Sequence, residues 1–487
     1  MKRWSTLLAS LWGTAITVGG FTAASKVVSL AKDSLVASHF GNGPELDAFL
    51  LALALPAFLI NVAAGTLPAA LTPTYISARE RDGIAIGHAV AARVLQTVYR
   101  ALVVLAIVAA IASYGFAYLP GASLAVSTRE MLPWIALTLA PYTLLQGTCA
   151  SWSGLLAAER GFAITASAPM AQPLFMVAAL LIAGSEATVG TLVVGLIIGT
   201  LVQGAILATA LRRRGVVLWE SRTRSTDSVE HLVVARHVEV VRWQYLPTVA
   251  SACLMSATTI TDQTMAAWLP PGSVSALSYG NKIAALMMGV GSIALSTTLL
   301  PHLSKLVAHE KWVEIRLLLK RVALGLIAVT VPVTAVLIYL AEPVVRLLYE
   351  RGAFTPEQTA LVAGVQSAYL LQLPVHLLGI LYVRLISALR ANRFLTISAT
   401  ICVVANIALD IVFMRRFGAS GIALATAAIY AISCTILGIA AYHSLRVMEQ
   451  ASTIRLADEL HHERERQLAA ASIDSNPNNQ GSCASAA

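Results

Sequence analysis

Apolar runs of about 20 residues, separated by proline, glycine or charged breaks, recur along the whole chain and predict membrane-spanning helices. About twelve such runs can be read, with approximate limits 12–37, 46–75, 86–113, 130–157, 162–184, 188–211, 240–269, 274–303, 318–345, 360–389, 393–414 and 419–445. The start, Met1-Lys2-Arg3 before an apolar stretch, has the form of a signal peptide. The pattern continues to Val36, however, so this stretch reads as a first span. After Arg446 the pattern changes. Residues 449–472 carry alternating charge, including Arg455, Asp458, Glu459 and Glu463 to Arg466, which predicts a solvated helix, and the composition after Ser472 reads as disordered. His461-His462 fits an exposed helix face better than a metal pair.

Composition agrees with a polytopic all-α membrane protein. Hydrophobic residues make up 57% of the 487 positions and charged residues 12%, against roughly 25% charged in a soluble domain. The net charge of +9 belongs to topology and not to nucleic-acid binding. Connections after even-numbered spans hold Arg79 and Arg81, Arg160, the run Arg212 to Arg242, Lys305 to Arg321, and Arg390 with Arg393. Odd-numbered connections are poorer, with Arg129, Arg351 and Arg415–Arg416 as exceptions, which predicts both termini in the cytoplasm. Four of the five cysteines lie in apolar runs and Cys483 in the tail, so no disulfide framework is expected.

The polar stretch 212–243 divides the spans into two groups of six. Leu71-Thr72-Pro73-Thr74-Tyr75-Ile76-Ser77 closes span two, and Leu299-Leu300-Pro301-His302-Leu303-Ser304 closes span eight. Pro141 and Phe162 mark span four and its end, as Pro374 and Phe394 mark span ten. An even number of spans per half predicts a parallel repeat, with a substrate site where the halves meet. The expected organisation is a lobe over 1–215, a cytoplasmic linker over 216–239, a second lobe over 240–446 and a cytoplasmic tail over 447–487.

Ionisable residues inside such runs are expensive and commonly mark a substrate or ion path. Only seven lysines occur in the chain, yet Lys26, Lys32 and Lys282 fall within spans, as do Asp262 and Asp410. Lys26 and Lys32 are six positions apart, about 240° of net helical rotation, so they do not share one narrow stripe. Lys32 and Asp33 can neutralise each other or pair across a cavity, and Lys282 follows Tyr279-Gly280-Asn281. Amines facing a cavity would attract an anion such as a lipid diphosphate; structural pairing with carboxylates is the other reading. Asn406 and Asp410 are spaced i,i+4 on span eleven, and Ile422 and Thr426 on span twelve. With Asp262 they offer oxygens suited to Na⁺, or carboxylates that carry protons; a structural hydrogen-bond network fits the spacing equally well. Pro56, Pro68, Pro73, Pro247, Pro301, Pro332 and Pro374 lie inside spans, where they bend helices. No nucleotide loop, Ser/His/Asp arrangement or zinc signature appears, so an ion gradient or the membrane potential is the expected energy source and no enzyme is expected.

Several segments are similar to the MurJ/MviN family of lipid II flippases, in the superfamily of MATE exporters and polysaccharide flippases. They are Ser25-Lys26-Val27-Val28 through Lys32-Asp33, Phe40-Gly41-Asn42-Gly43 with Asp47-Ala48-Phe49, Leu55-Pro56, Pro73, Leu300 to Lys305, and Tyr349-Glu350-Arg351-Gly352-Ala353-Phe354-Thr355. The resemblance implies two six-helix lobes around a V-shaped central cavity, and alternating access that moves a polyprenyl-diphosphate-linked glycan across the bacterial inner membrane. It implies a diphosphate and cavity site at Lys26, Lys32, Asp33, Asp47, Asn281 and Lys282. It further implies cation binding, with Na⁺ or H⁺ as the coupling ion, by Asp262, Asn406, Asp410, Thr426 and the backbone of Ile422. Lysine here stands where the family mostly has arginine, which keeps charge but not the bidentate grip of a guanidinium. The family's span-two arginine is replaced within Leu59-Ile60-Asn61. Family members typically carry two further spans, so an exopolysaccharide or other lipid-linked oligosaccharide remains an alternative cargo. A MATE-type drug exporter would want an acidic cavity, and a membrane glycosyltransferase would want catalytic carboxylates on a large outer loop. A non-transporting scaffold would gain nothing from buried charge. Beyond the lipid-linked substrate, the expected state is a monomer with cell-wall or polysaccharide synthesis proteins as partners.

Overall fold

A chain surrounded by hydrocarbon must satisfy its backbone polar groups internally, and helices do this within one segment. The structure, a computed structural model, describes residues 2–116, 124–216, 228–389 and 391–474; among these, regular structure is helical throughout, with no strand. The helices are α1 (Lys2–Phe40), α2 (Pro44–Ala63), α3 (Leu67–Arg81), α4 (Ile84–Phe116), α5 (Val126–Ala158), α6 (Phe162–Ser167), α7 (Ala171–Ala183) and α8 (Val189–Arg213). They continue as α9 (Ser228–Ala266), α10 (Ser273–Ala308), α11 (Trp312–Tyr339), α12 (Ala341–Tyr349), α13 (Pro356–Leu370), α14 (Gln372–Ala388) and α15 (Arg393–Asp474). Among the described residues, eight helical stretches are long and apolar enough to cross a membrane. One of them, Arg393–Arg455, holds two predicted spans, because Gly418 leaves helical geometry at φ 58° and ψ −136° and separates the eleventh from the twelfth.

Two predicted single spans are broken helices. The second breaks between α2 and α3 at residues 64–66, with Pro68 in the first turn of α3; the tenth breaks between α13 and α14 at Leu371, shortly before Pro374. Proline tolerates the first turn of a helix, where its missing N–H has no partner to lose. Helix α9 starts at Ser228, twelve residues ahead of the predicted seventh span, so the second part of the expected linker is helical. The charged segment after Arg446 continues α15 to Asp474, while the rest of the predicted disordered tail and residues 217–227 of the linker lie outside the described residues.

Inter-residue contacts group the chain into two compact units that do not follow chain order. The first comprises the chain up to Met287, Val333–Leu373 and Ala399–Ile429. Its largest core packs Phe49, Ile135, Leu180, Leu192, Tyr279, Val345 and Ile422, and a second core gathers Leu71, Tyr75, Leu155 and Leu211. The second unit comprises Met288–Pro332, Pro374–Ser398 and the chain from Tyr430, around Leu303, Leu381, Leu385 and Leu445. Here Arg316 pairs with Glu449, and Arg455 lies 3.6 Å from Glu310, so α11 and its preceding turn hold the charged part of α15.

The Arg351–Thr355 loop has a structural task in the first unit. Ala353 N–H donates to Ser38 O (2.8 Å), and Gln358 Oε1 accepts from Asn42 N–H (2.9 Å), which fastens the loop to the α1–α2 turn. Gly41 (φ 53°) and Gly352 (φ 61°) both take left-handed backbone, and a Cβ on Gly41 would come within 2.6 Å of Ala353 O. Thr355 and Gln358 form a reciprocal cap that starts α13. Phe354 then packs edge-on against Tyr279, which is itself 4.8 Å from Tyr349 between ring centroids.

Candidate functional site

Two groups of buried polar residues lie in the first unit. The first is built on α1 and α10. Asp33 is 5% exposed, and its carboxylate takes two ammonium groups: Lys32 Nζ at 2.5 Å from Oδ1 and Lys282 Nζ at 2.9 Å from Oδ2. A cavity of about 320 Å³ opens beside them, lined among others by Ser29, Lys32, Asp33, Tyr142, Gln172 and Lys282. Two ammonium groups against one carboxylate leave a surplus positive charge at this wall. Each ammonium also has three donors, more than one carboxylate oxygen uses. Close helix approach sets the position of Lys282, since a Cβ on Gly280 would lie 2.6 Å from Val365 Cγ1.

Not every predicted cavity residue joins this cluster. Lys26 is exposed and lies on another part of α1, as six helical steps require. Asp47 is buried and caps the start of α10, accepting N–H groups of Gly272 (2.6 Å) and Ser275 (2.8 Å). A carboxylate there complements the positive end of the helix. Asn281 does not line the cavity, and its buried Oδ1 has no hydrogen-bond partner among the described residues.

The second group joins α9 to both parts of α15. Asn406 Nδ2 donates to Asp262 Oδ1 (3.1 Å), and Thr426 Oγ1 lies 2.9 Å from Asp262 Oδ2 and 3.0 Å from Ile422 O. Asp410 is fully buried, and neither of its carboxylate oxygens has a hydrogen-bond donor among the described residues; nor has Asn406 Oδ1. Buried charge is normally paired or bound to a metal ion. Carboxylate, amide, hydroxyl and carbonyl oxygens are ligands for a hard cation, so the donor set fits Na⁺.

Sequence reading passed over two further polar features. In the first unit Gln172 Nε2 lies within hydrogen-bond distance of Gln146 Oε1 (2.6 Å), Gln203 Oε1 (3.0 Å) and Thr200 Oγ1 (3.2 Å), which ties α5, α7 and α8 together at the cavity wall. The signal was three uncharged glutamines in separate apolar runs, without any shared spacing. In the second unit Arg384 donates to Ser296 Oγ from Nε (3.2 Å) and Nη2 (2.7 Å), and one α10 turn away Ser292 meets His376 at 3.2 Å. A lone arginine inside the tenth apolar run was the available signal.

Comparison with known proteins places the chain in a family. The family model described as "Lipid II flippase MurJ" matches residues 36–459. A "Probable lipid II flippase MurJ" of Rhizobium meliloti (strain 1021) is 29% identical over 429 residues, covering 84% of this chain and 76% of the relative. A protein of the same description from Synechocystis sp. is 27% identical over 436 residues, covering 85% and 78%. Among solved structures, "Lipid II flippase MurJ, inward closed conformation" aligns with a TM-score of 0.71 at 23% identity, over 90% of this chain and 91% of that one. An inward-facing MATE-family multidrug resistance transporter aligns with a TM-score of 0.63 at 14% identity, over 90% and 99%. The structural matches establish a shared polytopic fold, and the family model extends over most of the sequence: the chain belongs to the lipid II flippase MurJ family.

Proposed function

We propose that this protein is a flippase that moves a polyprenyl-diphosphate-linked glycan, a lipid II-like peptidoglycan precursor, across the bacterial inner membrane. The observation that carries this reading is the surplus ammonium charge of Lys32 and Lys282 around Asp33 on the wall of a cavity lined by both polar and apolar residues. A diphosphate is the part of such a lipid that must leave the headgroup region, and it is anionic. Lys282, with 35% of its side chain exposed, is placed to meet it. The same charge balance disfavours a cationic drug as cargo. The two sides of the bilayer would reach the cavity in turn, with Asp262, Asn406, Asp410, Thr426 and Ile422 O holding the coupling cation, Na⁺ in this reading, and no covalent chemistry on the lipid. The protein works as a monomer with both termini cytoplasmic, beside the proteins that make and polymerise the precursor.

Complementation of a flippase-depleted strain, together with a leaflet-accessibility assay for the lipid-linked glycan, tests the proposal. Lys282→Met is expected to lower transport roughly tenfold, the loss of about one charge-assisted hydrogen bond, while Lys282→Arg retains most of it. Full transport by Lys282→Met, or transport of an exopolysaccharide lipid in place of the peptidoglycan precursor, would overturn this assignment.

A further inference from the structure

A second cavity, of about 470 Å³, lies wholly in the first unit among α4, α5 and α8. Its wall is apolar, with Leu95, Val98, Leu102, Leu144, Leu201 and Ala205 among the lining residues. The serine and threonine hydroxyls on the wall are already satisfied close to home. Thr148 donates to Leu144 O (2.7 Å), Ser151 to Gly147 O (2.9 Å) and Thr200 to Leu196 O (2.7 Å), each one helical turn back. Cys149 S–H points to Thr200 O at 3.7 Å. These hydroxyls therefore do not call for a polar ligand, and an apolar cavity of this kind stays dry and takes apolar guests.

The surroundings select the guest. Helices α4 and α8 are two of the stretches long and apolar enough to cross the bilayer, so hydrocarbon is the medium at this level. At the mouth, Leu201 is 50% exposed and Tyr99 36% exposed, so the cavity opens outward. Small residues on α8, namely Gly204, Ala205 and Ala208, make the room, and a Cβ on Gly204 would meet only Cys149 Sγ, at 3.4 Å. We propose that this cavity is a binding site for one acyl chain of a bilayer phospholipid. The chain would lie one layer of side chains from the charged cavity: Thr200 lines the apolar cavity, Gln172 lines the charged one, and the two side chains are hydrogen-bonded at 3.2 Å. The bound chain supports that layer from behind.

The full chain in nanodiscs, with phosphatidylethanolamine carrying a diazirine on one acyl chain, tests the proposal by photolabelling and peptide mapping. Adducts are expected several-fold more densely on residues 95–102, 144–152 and 201–208 than on the exposed apolar face of α11 at Leu324, Ile327 and Val331. Ala205→Phe should abolish the cavity adducts and leave α11 labelling unchanged. As a measurement on the unaltered protein, adding the phospholipid to the detergent-solubilised chain should raise Tm, and Ala205→Phe should remove part of that rise. Equal labelling of cavity and α11 would overturn the proposal. So would displacement of the cavity label by a prenyl diphosphate, which would make the guest a prenyl chain.

Discussion

The cluster at Asp33 and the cluster at Asp410 meet the same difficulty, charge inside a membrane protein, with opposite balances. At Asp33 one carboxylate is shared by two lysines, the surplus is positive, and a cavity opens beside it. At Asp410 and Asp262 two buried carboxylates have only an amide and a hydroxyl for donors, the surplus is negative, and the residues are closed in. An open, positive wall suits a large anion that keeps part of its hydration. A closed set of oxygens suits a small dehydrated cation. Under the proposed function, separating the two places would let a cargo and a coupling ion bind without neutralising each other.

The largest effect is expected from removing the shared counter-charge. Asp33→Ala leaves Lys32 and Lys282 facing each other, and removal of one partner from a buried ion cluster costs about 3 kcal/mol or more. Thermal unfolding in nanodiscs should show a large fall in Tm and complementation should fail; an unchanged Tm would mean that Asp33 does not hold the lysines. Next in size is the response to sodium. Na⁺ at roughly 100 times its dissociation constant should stabilise the parent by about 2.7 kcal/mol, measured as a sodium-dependent Tm. Asp410→Asn should abolish that dependence and, without sodium, be at least as stable as the parent, because two buried carboxylates no longer repel. A parent indifferent to sodium would refute the cation assignment.

Thr426→Val removes one hydroxyl from Asp262 and Ile422 O, a loss of about 1 kcal/mol. The sodium concentration that gives a stated rise in Tm should therefore increase about fivefold. The smallest effect is expected at Lys26. This exposed residue stands apart from the Asp33 pair, so Lys26→Ala should change stability by less than about 0.5 kcal/mol. It should leave transport near the parent level, whereas Lys282→Met lowers it; equal losses would return Lys26 to the binding wall.

Much of the fold was legible because one physical rule governs it. A span needs a long apolar run, so the helices announce themselves, and Gly418 falls between two predicted spans that share one helical stretch. Breaks within runs were harder to read. Pro68 and Pro374 were visible as bends, yet nothing local distinguishes them from Pro56, which stays inside α2. The early start of α9 was hidden because the stretch from Ser228 is too charged to read as a span, although Val234, Val238 and Val241 recur at helical spacing.

The candidate sites divide in the same way. Spacing along one helix put Asn406 with Asp410, and Ile422 with Thr426, because i,i+4 neighbours share a face. Residue type marked Lys26, Lys32, Asp33 and Lys282, and the family resemblance added Asp47, without distinguishing their tasks. Asp47 caps α10, Lys26 faces away, and Asp33 gathers two lysines 250 residues apart in sequence. The Gln146–Gln172–Gln203 group was silent because neutral amides in apolar runs carry no periodic mark.

The sequence by itself determined that this chain is a polytopic helical membrane protein, where most of its long helices lie, and which buried charges need an explanation. Hydrophobic length and charge cost are properties of single segments, readable one residue at a time. Only the tertiary structure decided which charges meet. A carboxylate is a counter-ion at 2.5–2.9 Å and an unmatched acceptor when its neighbours bring no donor, and that distinction rests on the packing of α1 against α10 and of α9 against α15.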